Sequence, residues 1–259
     1  FFYDSYTRTR SYFDNSEMAA TGLPTGEEAK ILEKFRGRVP EEVFTREYRP
    51  PSFAVEAGGD ANKKFRENML AAKNLLEEAG WKVKENKLVN GKGETFAFEI
   101  LMDNPAFERI SLPFTKNLEK LGIEAKVRTI DPSQYENRME NFDFDMTVEV
   151  FGQSQSPGNE QRDFWGSKAA EIKGSRNVIG IRDPVVDELV ELIISAKDRE
   201  GLVAASKALD RVLQWGHYVI PHWHISVWRL AYWNKFGIPK TIPAYDLPLD
   251  AWWSRDAAK

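Results

Sequence analysis

Apolar residues recur along the chain at spacings that place side chains on one face of a helix. In residues 62–79 the spacing alternates between four and three positions, and the apolar members are Phe65, Met69, Ala72, Leu76 and Ala79. Gly80 follows directly and can adopt the left-handed conformation that ends a helix. This pattern predicts a helix over residues 62–79.

Five further stretches have either the same spacing of apolar residues or the residue types that begin a helix. Thr25 can cap the first of them, with Glu28 at the capping-box position. Asp131 and Pro132 are the cap and first-turn residues of another. The sequence therefore predicts helices over residues 25–35, 105–121, 131–141, 183–196 and 199–215.

Runs of β-branched and aromatic residues lie between these helices, at residues 95–102, 123–130 and 144–151. Helical crossovers of this length join parallel neighbouring strands. We therefore predict an α/β domain with a mixed sheet flanked by helices, in which these three strands are parallel. Residues 218–236 also have strand composition, and an extended tail is expected over residues 239–253.

The composition is that of a packed globular protein. The 259 residues are 42% hydrophobic and 29% charged, with a formal net charge of −4. Nucleic-acid phosphates call for a basic stripe, whereas Lys and Arg here stand mostly beside Glu and Asp, so no nucleic-acid partner is expected. The absence of cysteine excludes disulfides, thiolate zinc sites and cysteine nucleophiles.

The three histidines, His217, His222 and His224, lie close together in the sequence. His222 and His224 are two apart on a predicted strand, so they share a face and could begin a zinc site. A metal-dependent hydrolase needs three ligands and a base, and no HExxH motif or suitably placed acid accompanies them. The sequence favours a structural or ligand-stacking role, with no catalytic residue, metal or cofactor, and a hydrolase built on these histidines is the alternative.

A polar loop, GQSQSPGNEQRDFWGS, follows the third predicted strand over residues 152–167. Open α/β sheets bind ligands at the C-terminal ends of their strands, and reversible pockets combine neutral hydrogen-bonding groups with aromatic side chains. An ordinary surface loop has the same composition, so both interpretations stay open. The candidate ligand-binding residues are Gln153, Ser154, Gln155, Ser156, Asn159, Arg162 and Trp165, with Trp165 as a stacking or apolar wall.

Several segments resemble the family 5 extracellular solute-binding proteins of ABC importers, which include oligopeptide- and dipeptide-binding proteins. They are AAKNLLEEAGW (71–81), LEKLGIEAKVRTID (118–131), FDFDMTVEVF (142–151) and RDPVVDELVELIISAKD (182–198). Longer motifs resemble the YejA-like subgroup: SYTRTRSYFDNSEMAATGLP, SPGNEQRDFWGS, KGSRNVIGI and ALDRVLQWGHYVIP. The resemblance covers essentially the whole chain.

This resemblance implies a periplasmic binding protein-like fold (type II, cluster C), in which two α/β lobes close on a ligand. Residues 1–215 are expected to form the second, C-terminal lobe and residues 216–259 to return to the first lobe, with the N-terminal half of the protein absent. Tyr6, Arg8 and Tyr12 become ligand-binding candidates through their place in the N-terminal motif.

The implied function is capture of peptides or peptide-like solutes in the periplasm, for an ABC permease in the inner membrane and without catalysis. A peptide-binding chaperone on the same fold is an alternative. Related peptide binders often carry an Asp-Pro pair whose carboxylate holds the ammonium of the peptide, and the matching pair here is Ser156-Pro157. A hydroxyl cannot neutralise a buried ammonium, so either another acid serves or the ligand is an opine, a modified peptide or a sugar-linked peptide.

Overall fold

The structure is a computed structural model that describes residues 5–51, 59–243 and 246–255. Its α-helices are α1 (Gly26–Glu33), α2 (Glu42–Thr45), α3 (Ala61–Glu78), α4 (Glu108–Glu119), α5 (Pro132–Glu140), α6 (Glu160–Trp165), α7 (Pro184–Ile194) and α8 (Arg199–Trp215). The six predicted helices are all confirmed, and a 3-10 turn at Pro105–Phe107 leads into α4. None of the described helices combines the length and the apolar character needed to cross a membrane.

The strands are short: β1 (Thr7–Arg8), β2 (Lys82–Lys84), β3 (Lys87–Val89), β4 (Ala97–Met102), β5 (Glu124–Thr129), β6 (Met146–Thr147), β7 (Trp223–His224), β8 (Phe236–Gly237) and β9 (Trp253–Ser254). One sheet has the order β5-β4-β6 with both pairs parallel, so Ile100 lies opposite Val127 on one side and Met146 on the other. The predicted parallel strands therefore do share a sheet. Among the described residues the antiparallel pairs form separate ribbons, β1-β7, β2-β3 and β8-β9, so the sheet itself is not mixed.

Two predicted strands are much shorter than expected, because strand composition produces a strand only where a partner is available. In residues 144–151 only Met146 and Thr147 pair, with Ile100 and Leu101 of β4. Among the described residues of 218–236, only two stretches pair. Strand β7 pairs with the two residues of β1, and Phe236, the first residue of β8, pairs with Ser254. The prediction of a continuous strand was wrong in both places.

The chain divides into two compact units. The first takes its residues from Phe1–Pro50, Gln153–Arg162 and Asp183–Lys259, and the second from Pro51–Gly152 and Asp163–Arg182. This division does not coincide with the expected boundary after residue 215. The assignment of residues to two ligand-closing lobes therefore stays a prediction.

Helices α7 and α8 form the core of the first unit, and α1 and α2 pack against α8. Val186 and Leu189 of α7 and Leu209 and Leu213 of α8 are completely buried. Burial of such side chains stabilises a fold by roughly 1.5–3 kcal/mol each, which explains why these helices organise the unit.

A buried ion pair ties the N-terminal segment to this core. Arg211 of α8 donates to Glu28 of α1 at 2.8 Å, and their side chains are 1% and 8% exposed. The same guanidinium also donates to the carbonyl oxygens of Thr21 and Gly22. The predicted capping box is absent, because Thr25 makes no side-chain cap and the carboxylate of Glu28 is directed to Arg211 instead.

The end of the chain exposes an unusual number of large apolar side chains. The exposed ones between residues 220 and 233 are Ile220, Ile225, Val227, Trp228, Leu230, Tyr232 and Trp233. This segment contains only the two strand residues of β7, so few of its side chains pack against a neighbour.

Candidate ligand-binding site

The predicted loop residues Gln153, Ser154, Gln155 and Ser156 lie in the first unit, whereas the three-stranded sheet lies in the second. They were expected at the C-terminal edge of that sheet, and this placement stays a prediction. Strand β6 ends at Thr147, so several residues separate the loop from the end of the strand. The side chains of Ser154, Gln155 and Ser156 are exposed.

Two side chains outside this loop hold it in place, one through the backbone of Gln155 and the other through the side chain of Gln153. Arg199, the first residue of α8, donates to the carbonyl oxygen of Gln155 and pairs with Glu17. Gln161, which is completely buried, donates from its amide to the side-chain oxygen of Gln153 at 2.7 Å. The loop is therefore anchored at Gln153 and Gln155, while the side chains of Ser154, Gln155 and Ser156 present neutral hydroxyl and amide groups to solvent.

Asn159 and Arg162 form a separate contact beside this loop. Arg162 makes a two-pronged ion pair with Glu191 of α7, with both distances 2.6 Å, and donates to Asn159 at 2.8 Å. The Glu191 carboxylate raises the pKa of the Arg162 guanidinium. Arg162 thus already has a carboxylate partner, which weakens its candidacy as a ligand contact.

Trp165 is a core residue and not an exposed wall. It is 0% exposed and packs against Phe151 and Phe164, with ring centres 5.0 and 5.5 Å away. Its position at the end of α6 turns the ring inward, and this is why the expected stacking surface is missing.

The N-terminal candidates Tyr6, Arg8 and Tyr12 lie on and beside β1. Arg8 pairs in register with Trp223 of β7, and Tyr6 packs edge-on against the same ring at 6.4 Å. Tyr12 is half-buried, and its backbone N–H donates to Asp210 at 2.8 Å. All three belong to the first unit.

Arg8 is a cation without an acidic partner. Within the described part of the chain no carboxylate lies at ion-pairing distance from its guanidinium, and the titratable groups that sense it are Tyr48 and His222. Tyr48 packs edge-on against Trp215 at 5.6 Å, and His217 lies 5.9 Å from the same indole. We call Arg8, Tyr48, Trp215 and His222 the Arg8 site.

Arg8 and His222 are exposed overall, but their neighbours remove part of each polar group from water. Burial lowers the pKa of Arg8, but a guanidinium remains a cation at physiological pH. Burial, and then the charge of Arg8, lowers the pKa of His222, so this imidazole is neutral at pH 7. Burial also raises the pKa of Tyr48, which keeps its phenol neutral. The Arg8 guanidinium therefore lies beside neutral aromatic groups, and the Arg46 guanidinium lies 5.8 Å from the centre of the Trp215 ring.

The histidines do not form a metal site in the described residues, where no group of three or more metal-ligating side chains occurs. His222 stacks on Trp223 with ring centres 4.9 Å apart, whereas His224 shares a hydrogen bond with Thr9. His217 packs near Tyr48. The three rings thus have different neighbours.

The second unit contains two open cavities. One, of about 340 Å³, is lined among others by Tyr135, Glu149, Phe164 and Arg176, and the Arg176 guanidinium lies 4.1 Å from the centre of the Phe164 ring. The other, of about 410 Å³, is lined by charged residues around Arg138. Neither is lined by a residue that the sequence predicted as a ligand contact.

Sequence reasoning missed Tyr48, Trp215 and Asp210. Tyr48 stands in an irregular stretch that has no motif. Trp215 and Asp210 both lie in the segment ALDRVLQWGHYVIP, and an Asp among the apolar positions of a helix was a usable signal of a buried polar contact.

Comparisons with known proteins place the chain among others of this architecture. A family model described as bacterial extracellular solute-binding proteins, family 5 middle, matches residues 41–171. The uncharacterized protein y4wM of Sinorhizobium fredii is 50% identical over 259 residues, which cover 99% of this chain and 38% of that protein. The probable peptide-binding protein YejA of Agrobacterium fabrum is 46% identical, with 98% and 41% covered. The chain thus spans about two-fifths of the length of these relatives.

Among solved structures, the oligopeptide-binding protein AppA of Bacillus subtilis, in complex with a nonapeptide, matches with a TM-score of 0.55 and 20% identity. The match covers 93% of this chain and 46% of that one. At this identity the likeness concerns the fold alone. It confirms the predicted fold class, that of the type II periplasmic binding proteins.

Proposed function

Because the chain belongs to the family 5 bacterial extracellular solute-binding proteins, we propose that it is part of a protein that captures peptides or peptide-like solutes in the periplasm. Captured solute would pass to an ABC permease in the inner membrane, and the protein itself would perform no catalysis. The relative YejA of Agrobacterium fabrum is described as a probable peptide-binding protein, and AppA was solved with a nonapeptide bound.

The observation that carries this proposal is that Arg8 has no carboxylate partner among the described residues. Because Arg8 is exposed and has no carboxylate partner among the described residues, its guanidinium is accessible to an anionic group of a ligand. A linear peptide ends in a carboxylate, whose two oxygens match the planar fork of an arginine. We propose that Arg8 binds the carboxylate of the ligand, with Tyr48, Trp215 and His222 forming the wall around it.

The loop of Gln153, Ser154, Gln155 and Ser156 is proposed as a second contact. Its exposed amide and hydroxyl groups can hydrogen-bond a peptide backbone or a sugar, but they cannot neutralise an ammonium. Its neutral character supports ligands in which this end is modified or uncharged. Tyr6 and Tyr12, which flank Arg8, are proposed as additional contacts.

We further propose that residues 216–259 pack against the part of the full-length protein that this chain does not include. The relatives are more than twice as long as the chain, and the exposed apolar side chains between Ile220 and Trp233 are of the kind that interfaces bury.

Selection from a peptide mixture tests the proposed function and requires no single peptide to be chosen in advance. The full-length protein is incubated with a tryptic digest of serum albumin, separated from free peptides, and the retained peptides are identified by mass spectrometry. Wild type should retain a reproducible subset of the peptides. No retained peptide, together with stoichiometric zinc in the purified protein, would favour the hydrolase alternative instead.

A retained peptide is then titrated by calorimetry into wild type and Arg8→Gln. The variant should bind it roughly tenfold to a hundredfold more weakly, the usual loss for a hydrogen-bonded charge pair. Arg38→Gln is the matched control, because Arg38 is an exposed arginine of the first unit whose partner is Glu188. Equal affinity of wild type and Arg8→Gln would refute the role of Arg8.

A further inference from the structure

Asp210 of α8 is completely buried, and four donors surround its carboxylate. The hydroxyl of Ser11 lies at 2.7 Å, the backbone N–H groups of Tyr12 and Ala20 at 2.8 Å each, and the side-chain amide of Gln214 at 2.9 Å. Three of these donors belong to the N-terminal segment that continues from Arg8. The carboxylate therefore organises residues 11–20, which contain no helix or strand.

Among the described residues, no cation pairs with this buried carboxylate. The neighbouring Arg211 is directed to Glu28 of α1. The other titratable groups near Asp210 are Asp14 and Tyr12 of the same segment and Tyr48 after α2, and burial raises the pKa of both phenols so that they stay neutral. The charge of Asp14 repels that of Asp210 and so raises the pKa of Asp210 further.

Gln214 has an unused acceptor at this place. Its amide nitrogen donates to Asp210 and, at 3.2 Å, to the carbonyl oxygen of Arg10. Its side-chain oxygen is buried and accepts no hydrogen bond from the described residues. A half-turn of the amide about its last bond would bring this oxygen to Asp210, where it could accept a proton carried by the carboxyl group.

We infer that Asp210 and Gln214 form a proton-controlled latch that holds the segment carrying Arg8 and Tyr12 in place. In the ionised state the carboxylate accepts four hydrogen bonds but remains a buried charge without a counter-ion. In the protonated state Asp210 donates to the turned amide of Gln214. The buried charge and the unused acceptor disappear, and the hydrogen bond from the amide to the carbonyl oxygen of Arg10 is given up.

The direction of the pH effect follows from the burial of the group. Burial raises the pKa of Asp210 from 3.8 to about 7, against the hydrogen bonds from Ala20, Ser11 and Tyr12, which lower it. A raised pKa means that the closed segment holds the proton more tightly than an open segment does. Protonation therefore closes the latch, and the latch loosens as the pH rises from about 4 towards 7. Above the pKa the effect levels off.

Hydrogen exchange of the full-length protein tests the latch directly. After correction for the intrinsic rate, the opening constant for the amides of Tyr12 and Ala20 should rise with pH, by up to about tenfold per unit between pH 5 and 7, and then level off. Asp210→Asn should remove this slope, since Asn does not titrate. A flat wild-type profile would overturn the latch, and this result needs no variant to fold.

Two controls separate the latch from general destabilisation. Ser206→Ala removes a buried hydroxyl of the same helix that has no hydrogen-bond partner among the described residues, so the slope should remain. Asp14→Asn removes the neighbouring carboxylate and should likewise keep the slope, whatever it does to the absolute protection. Loss of the slope in either control would contradict the assignment to Asp210.

The pH dependence of peptide affinity connects the latch to the proposed function, and this experiment rests on that function. Affinity for a retained peptide should fall in wild type as the pH rises from about 5 to 7 and level off above pH 7, with the fall absent in Asp210→Asn. If hydrogen exchange shows the slope while affinity does not, the latch stands and the Arg8 site is wrong. If no peptide binds at all, the exchange experiment still decides the latch.

Discussion

Helices α3 and α8 have nearly the same length, 18 and 17 residues, but play opposite parts in the molecule. Ten residues of α8 are buried, whereas none of α3 is. Helix α8 positions Arg199 beside the loop, Asp210 beneath Tyr12 and Trp215 in the Arg8 site. Helix α3 is held by the cap of Asp60, which accepts from the backbone of Asn62 and Lys63. The comparison teaches that a regular helix serves function here only where its neighbours bury it.

The largest effect is expected from breaking the buried ion pair of α8. Arg211→Ala should lower the free energy of unfolding by about 3–5 kcal/mol, because Glu28 would remain as a buried charge without a partner. Urea denaturation of the protein measures it. Arg36→Ala removes an exposed arginine that pairs with Glu33, and it should have a far smaller effect. Equal effects would show that the burial of Arg211 does not matter.

A smaller effect on stability is expected when a buried side chain of the same helix is shortened. Leu209→Ala should cost about 2–5 kcal/mol, since Leu209 is 0% exposed. The matched change in α3, Leu70→Ala, removes a side chain that is 58% exposed and should change stability by less than about 0.5 kcal/mol. If Leu70→Ala proved as costly, α3 would have a packing partner that the described residues do not show.

The smallest effect should be local to α3. Asp60→Ala removes the cap and should raise hydrogen exchange of residues 61–78 about fivefold, which corresponds to about 1 kcal/mol. The urea midpoint of the protein should stay unchanged, because α3 contributes no buried residue. A shifted midpoint would mean that α3 unfolds together with a core.

The same comparison shows how far the sequence predicts the fold. Apolar spacing predicted α3 and α8 equally well, since both carry a helical stripe, but spacing holds no information on what covers the stripe. The parallel order of β4, β5 and β6 followed from the alternation of strands and helices. The lengths of β6 and β7 did not, because residue composition does not determine how many residues of a strand pair with a neighbour.

The candidate site was less predictable. Arg8 was selected by its place in a motif. Whether a carboxylate lies beside it depends on which distant parts of the chain surround it, as Tyr48 does, and the sequence does not show this. Trp165 was selected by its chemical type, and only packing against Phe151 and Phe164 shows that it faces the core. Residue type alone does not distinguish a binding aromatic from a buried one.

The central claim is that Arg8 binds the carboxylate of the ligand, and a two-by-two calorimetric cycle tests it most directly. One retained peptide is prepared as the free acid and as the C-terminal amide, and both are titrated into full-length wild type and Arg8→Gln. In wild type the amide should bind at least about tenfold more weakly, and in Arg8→Gln the two forms should bind alike. Equal binding of both forms to wild type, or a penalty for the amide that persists in Arg8→Gln, would contradict the account.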